Sequence, residues 1–260
     1  VKLLTLARDL KRRKARDKHG LFVAEGVRAV EALADAALAG RGPRIRGLLL
    51  ADGAEVEPRM SALVARLAAA GVHVATVSER EFAGAAETDT PQGVLALAEI
   101  PRHRPEDLPA ARFVLVLDAV QDPGNAGTIL RSAAAFGVGV TIALPGTVDV
   151  WNAKVVRSAM GALCSHPVLP MAWDAAARWL GERATPLWVA DADGEPLGAS
   201  VIARPDRLAL AVANEGAGVS APVAAAAARR VAIPMTPGVE SLNVAVAAGI
   251  LLYVLAPGDS

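Results

Sequence analysis

Aromatic residues make up only 3% of this 260-residue sequence, and cysteine occurs once, as Cys164. A single thiol excludes an intrachain disulfide framework and fits a reducing, cytoplasmic compartment. One cysteine and four scattered histidines supply no zinc cluster, so no metal is expected. Net charge is also missing: 27 Lys/Arg stand against 27 Asp/Glu, which excludes an unspecific polycation. The opening VKLLTLARDLKRRK has a short apolar run followed by its basic cluster, the reverse of a secretory signal. The last apolar segment, near Leu242–Leu255, is too short to cross a bilayer, so no membrane partner is expected. No GxGxxG follows the first strand, and there is no Walker A, no GxSxG elbow and no convincing histidine triad. An ordinary dinucleotide crevice, a P-loop and a serine hydrolase site are therefore unsupported.

What is present is an apolar, Ala-, Gly- and Pro-rich chain long enough for one large domain or two modest ones. Its charge is uneven. Residues 1–112 hold 18 Lys/Arg against 15 Asp/Glu, and residues 113–260 hold 9 against 12. Seven of the basic residues lie between Arg8 and Lys18. Residues 4–18 read as a basic helix. Its face is either solvated or turned to a polyanion.

Hydrophobic periodicity then alternates between strand and helix. Helices are expected near Val27–Leu38 and Pro58–Ala70, and strands at 45–51, 72–77 and 93–100. This is a small α/β unit of residues 1–100. The Pro-rich, charged segment 101–112 (PRHRPEDLPAAR) breaks the pattern and reads as a linker. A second unit, 113–260, opens with FVLVLD, an apolar run of the kind covered on both faces in a parallel sheet. A helix follows over Gly124–Phe136, a strand at 139–144 and a helical stretch at 151–162. Strands at 187–192, 207–213 and 231–235 precede a closing helix, Glu240–Leu255. In such sheets ligands sit beyond the carboxyl ends of the strands.

Three polar turns fall at such ends. In LDAVQDPGNAGTILRSAAAFG, Asp122-Pro123-Gly124 forms a turn, and Asp122 or Asn125 can cap the helix. Arg131 lies two turns into that helix, where an arginine suits phosphate. A capped helix with a solvated arginine fits the local pattern equally well. In AVANEGAGVS, Glu215 sits between Asn214 and Gly216 just past a buried strand. It is either a solvated loop carboxylate or a placed one. In IPMTPGVESLNVAVAAG, Glu240, Ser241 and Asn243 cluster where a helix cap needs one residue. Cys164, in GALCSHPVL, reads as core.

The three turns, VQDPGNAGTILRSAAAFG, LALAVANEGAGVS and VAIPMTPGVESLNVAVAAGILLY, resemble in order the three motifs of the SpoU/TrmH family of RNA ribose methyltransferases. NAKVVRSAMGALCSHPV, LFVAEGVRAVEAL and TDTPQGVLALAE also resemble that family, so the likeness covers nearly the whole chain. The resemblance implies an α/β fold whose C-terminal parallel sheet carries a deep trefoil knot, the SPOUT fold. A small α/β domain of the L30-type ribosomal protein fold would precede it and grip RNA. It implies S-adenosylmethionine as cofactor, a homodimer formed through the C-terminal domains, and methylation of a ribose 2′-hydroxyl.

Carried over residue by residue, the resemblance makes Asn125, Arg131, Glu215, Ser241 and Asn243 the catalytic set. The cofactor would be held at Ala213, Ile233 and Leu242, with Asn214, Gly216, Met235 and Val244 beside them and Ala190 and Asp191 along its adenosine or methionine side. One position departs: the family usually has glycine where this chain has Ala213, and a methyl group there narrows the pocket. Lys11, Arg12, Arg13, Lys14 and Arg28 are the expected RNA contacts. The two-domain length favours 23S ribosomal RNA as substrate. Transfer RNA, a non-catalytic RNA-binding role and a small-molecule substrate stay open as alternatives.

Overall fold

The computed structural model describes residues 2–108, 111–197, 204–214, 216, 218–236, 238 and 241–257. In chain order the first elements are α1 (Leu3–Asp9), α2 (Arg13–His19), β1 (Leu21–Glu25), α3 (Val27–Leu38), β2 (Ile45–Ala51), α4 (Pro58–Ala69), β3 (Val74–Val77), α5 (Glu79–Ala85) and β4 (Val94–Glu99). There follow β5 (Phe113–Asp118), α6 (Pro123–Ala135), β6 (Val140–Ala143), α7 (Ala153–Ser158), β7 (Val168–Pro170), α8 (Trp173–Glu182), β8 (Leu187–Pro196), β9 (Leu208–Ala213), α9 (Ala221–Ala225), β10 (Arg229–Ala232) and α10 (Val244–Val254).

Two compact units result, one reaching to Arg102 and including Asp149–Ser165, the other made of His103–Val148 and the chain from His166 on. The first is built on a mixed sheet in the order β1-β4-β2-β3. β4 runs antiparallel to both β1 and β2, and β3 runs parallel to β2. Helix α3 buries Val27, Val30, Leu33 and Ala34, and α4 buries Met60, Leu63 and Leu67, the spacing of one helical stripe.

The basic segment 4–18 is not one helix. It breaks after Leu10, and at the break the Arg16 guanidinium donates to the carbonyl oxygens of Leu10 (2.7 Å) and Lys11 (2.8 Å). Those acceptors are then lost to a continuing helix. Arg16 is itself buried and pairs with Asp149 at 2.5 Å. Gly20, with φ +63°, ends α2 in the left-handed conformation that glycine adopts at little cost.

Residues 149–165 lie within the second domain by sequence, yet they pack with this first unit. Besides the Arg16–Asp149 pair, the Trp151 ring lies 4.8 Å from that of Phe22, and α7 packs on β1. Cys164 is buried there, and burial pushes its thiol up to about 11.

The second unit carries a six-stranded sheet in the order β10-β8-β9-β5-β6-β7, parallel throughout. This is the sheet typical of the SPOUT knot fold, preceded by a mixed-sheet domain. Strand β5 is buried at every position, as its unbroken apolar run requires. Its register pairs Asp118 with Ala213 of β9, so the first and second polar turns leave the sheet side by side. Among the described residues five elements escape the sequence reading: β1, α5, β7, α8 and α9. The closing helix starts at Val244, four residues later than expected, because Asn243 caps it. Among the described residues no helix is long and apolar enough to cross a membrane.

Candidate functional site

At the carboxyl ends of β9 and β10, beside the middle of β8, the second unit has a cleft of about 410 Å³. Ala190 and Asp191 come from β8, and Val212 and Ala213 from the end of β9. Asn214, Gly218 and Val219 follow from the second turn, and Ile233 and Met235 from the turn after β10. Ser241, Leu242 and Val244 approach from the start of α10, and Val231 and Leu251 add apolar surface. Of the nine residues expected at a cofactor, eight line this cleft. The ninth, Gly216, is not among its lining residues. Its N–H instead donates to Asn214 Oδ1 at 3.3 Å, closing a tight Asx turn.

The volume lies in the range of small-molecule sites. The lining suits a nucleoside bearing an amino-acid arm, since it combines apolar walls, the Asp191 carboxylate and two turns of main chain. Asp191 also pairs with Arg230 at 3.0 Å, and both groups line the cleft. Arg230 is a residue the sequence reading missed, and its only signal is that it lies early in a strand bordering the third turn. Ala213 is present in the lining.

Two contacts hold the turns around this cleft. Asp118, buried at the end of β5, accepts a hydrogen bond from the Ser220 N–H at 2.6 Å. It ties the first strand's end to the second turn. Asn243 Nδ2 donates to Asn125 Oδ1 at 3.1 Å, which joins the first and third turns. Asn243 Oδ1 meanwhile accepts from Ala245 N (3.0 Å) and Val246 N (3.3 Å), so one side chain caps α10 and reaches α6. The cap of α6 itself is Asp122, whose Oδ1 accepts from Asn125 N at 2.7 Å. That leaves the Asn125 side chain available for Asn243.

Arg131 is exposed on α6 and has no hydrogen bond or ion pair among the described residues. Ser241 is exposed at the cleft. Glu215 lies outside the described residues, as does Glu240. Among the described residues there is no group of three or more His, Cys, Asp and Glu able to hold a metal.

The expected RNA contacts belong to the first unit and differ in freedom. Lys11 Nζ donates to the Ala86 carbonyl at 2.6 Å, Arg12 pairs with Asp9, and Arg13 lies 3.8 Å from Asp17. Lys14 and Arg28 are exposed, with no such partner among the described residues.

The family model described as the SpoU rRNA Methylase family matches residues 112–253, and that of the MRM3-like substrate binding domain matches residues 4–96. The chain is 34% identical over 249 residues to the 23S rRNA (guanosine(2553)-2′-O)-methyltransferase RlmP of Bacillus subtilis, covering 95% of this chain and 93% of that one. Among solved structures, an AdoMet-bound rRNA methyltransferase from Sinorhizobium meliloti superposes with a TM-score of 0.82 at 28% identity, over 98% of this chain and 94% of that one. The SpoU methyltransferase AviRb from Streptomyces viridochromogenes, in complex with AdoMet, superposes with a TM-score of 0.83 at 26% identity, over 98% of both chains.

Proposed function

This chain belongs to the SpoU rRNA methylase family, and on that premise we propose that it methylates a ribose 2′-hydroxyl of ribosomal RNA, using S-adenosylmethionine held in the cleft of the second unit. The observation that carries this reading is a cleft of suitable size lined by the second and third turns, with the first turn held to the third by the Asn243–Asn125 hydrogen bond. The Bacillus subtilis relative is named for 23S ribosomal RNA, and we extend that substrate to this chain.

The cofactor supplies an electrophilic sulfonium methyl group, so the protein's task is alignment and proton handling. Apolar surface from Val212, Val231 and Leu251 packs a purine ring, while Asp191 offers acceptors to hydroxyl groups. Ser241 and the backbone around Leu242 hold the arm that bears the methyl. A guanidinium is a poor proton acceptor, so Arg131 serves best as a positioner. It orients the target ribose through the neighbouring phosphate and stabilises charge developing on the attacking oxygen. Asn125 and Asn243 hold the two turns in register, and Glu215 is assigned to the same loop organisation. Lys11, Arg12, Arg13, Lys14 and Arg28 contact RNA phosphates from the first unit. A ribosomal substrate and a lone, buried thiol fit a cytoplasmic setting.

We also infer a homodimer. Helix α10 is apolar all round, a pattern that calls for cover on every side. It buries Val244, Ala245, Ala248, Leu251 and Leu252, yet Val246, Tyr253 and Val254 are more than half exposed and Ile250 is 38% exposed. A second copy laid on this face covers them.

Incubating the protein with methyl-labelled S-adenosylmethionine and a 23S ribosomal RNA transcript tests the reading. Label should appear in the RNA, and primer extension at low nucleotide concentration should stop at one ribose. No cofactor binding by calorimetry and no labelled RNA would refute it.

A further inference from the structure

The first unit holds a second concavity, of about 240 Å³, which shares Arg28 with the RNA contacts above and none of its lining with the cofactor cleft. Glu25, Gly26, Arg28, Gln92, Arg157 and Met160 shape it. Its one carboxylate is fully engaged. Glu25 is buried and accepts from the N–H groups of Glu87 (2.9 Å) and Thr88 (3.2 Å) and from the Thr88 hydroxyl. Its two arginines are not engaged. Neither Arg28 nor Arg157 has a hydrogen bond or ion pair among the described residues. One guanidinium nitrogen of Arg157 is sealed from solvent without an acceptor, which costs about 1–3 kcal/mol.

Two further features raise the cost of this arrangement. Met160 has φ +49°, a left-handed conformation that costs a side-chain-bearing residue roughly 1–2 kcal/mol. Helix α3 starts at this wall with no acidic residue in its first turn. Gly26, at φ +92°, brings the chain past Gln92 Oε1, which a Cβ would meet at 2.9 Å, and the same oxygen accepts the Val27 N–H at 3.0 Å. An unpartnered guanidinium, an unopposed second arginine and a strained backbone in one cavity call for a missing anion.

We propose that this concavity takes a phosphodiester of the RNA substrate, gripped between Arg28 and Arg157. The proposal rests on the RNA reading above. A guanidinium matches a phosphate through its planar fork, and two of them lining one cavity fix a single phosphate along the strand. The cavity has room for the adjoining sugar as well as the phosphate. Arg157 is thereby a substrate-positioning residue of the first unit, distinct from the basic stretch around Lys14.

The test measures binding of the full-length protein to a 23S ribosomal RNA transcript across a potassium chloride series. Arg28→Gln and Arg157→Gln are each expected to flatten the slope of log affinity against log salt by about 0.7–0.9, one phosphate contact. Arg157→Lys is expected to keep most of the parent slope. Should Arg157→Gln fail to fold, Arg28→Gln, an exposed change, decides the matter by the same criterion. Calorimetry with S-adenosylmethionine on the same preparations separates this site from the methylation reading. A protein that binds cofactor and methylates RNA, but whose slope ignores both arginines, overturns the site alone. Thermal protection by inorganic phosphate that Arg157→Gln abolishes, with RNA slopes unchanged, marks a free-anion site and overturns it too.

Discussion

Asn243 caps helix α10 with one side-chain oxygen and donates from its amide nitrogen to Asn125, 118 residues earlier in the chain. A single residue thus sets both where the last helix begins and how far it stands from the first turn. Asn243→Ala is expected to cost about 1–2 kcal/mol, a lost cap plus a lost exposed bond. Asn125→Ala, which leaves the Asp122 cap intact, should cost well under that. Thermal melts of both variants check the ordering, and equal losses would show that capping α10 adds little to the bond the two residues share.

Arg131→Ala should abolish turnover, by about 100-fold or more, while calorimetry finds S-adenosylmethionine affinity nearly unchanged. Arg131 does not line the cleft, so its loss should be felt by the RNA and not by the cofactor. A tenfold weaker cofactor affinity combined with normal turnover at saturation would sink the assignment.

Arg16 and Lys14 are neighbours in one basic stretch with opposite fates. Arg16→Gln strands Asp149 in a largely buried site, and the expected loss is about 3–5 kcal/mol of stability. Lys14→Gln should leave the melting temperature alone and flatten the salt dependence of RNA binding by about 0.7–0.9. If Arg16→Gln melts like the parent, the buried pair does not hold the first unit together.

His166 gives the second unit a pH dependence. Burial pushes its imidazole down to about 4, with His103 adding to the effect, and its Nε2 shares a 2.7 Å hydrogen bond with the Thr141 hydroxyl. The unfolded chain takes up this proton near pH 6.5, whereas the folded chain resists it. Stability from this group is therefore full above about pH 6.5 and falls as pH drops toward 4, by on the order of 3 kcal/mol in all. Melting temperatures recorded from pH 7 to pH 4.5 should decline, and His166→Gln should flatten the decline. A decline of the same steepness in the variant assigns the effect to other groups.

Periodicity and turn chemistry made most of this fold legible. FVLVLD reads as a doubly covered strand, and Pro58–Ala69 follows the stripe that its leucines predict. Some signals were present and unused: Ser78 and Glu81 form a capping box that announces α5. Others have no local trace. Nothing in LKRRKARDKH tells that Arg16 turns inward, because its acceptor, Asp149, lies 133 residues away. The cleft was legible because its turns carry more polar residues than capping requires, and only Gly216 among the expected cofactor positions falls outside its lining. Arg230 and Arg157 were missed because their roles depend on neighbours brought by the sheet and by segment 149–165, not on their own surroundings in sequence.

That the first unit borrows residues 149–165 has a consequence for synthesis on the ribosome. Domains generally fold as they emerge, amino terminus first. Here Arg16 and Phe22 must wait for Asp149 and Trp151, which are translated only after β5 and β6 of the following unit. The two halves of this protein are therefore obliged to mature together, and a fragment cut at the linker would leave a buried cation and an aromatic face uncovered.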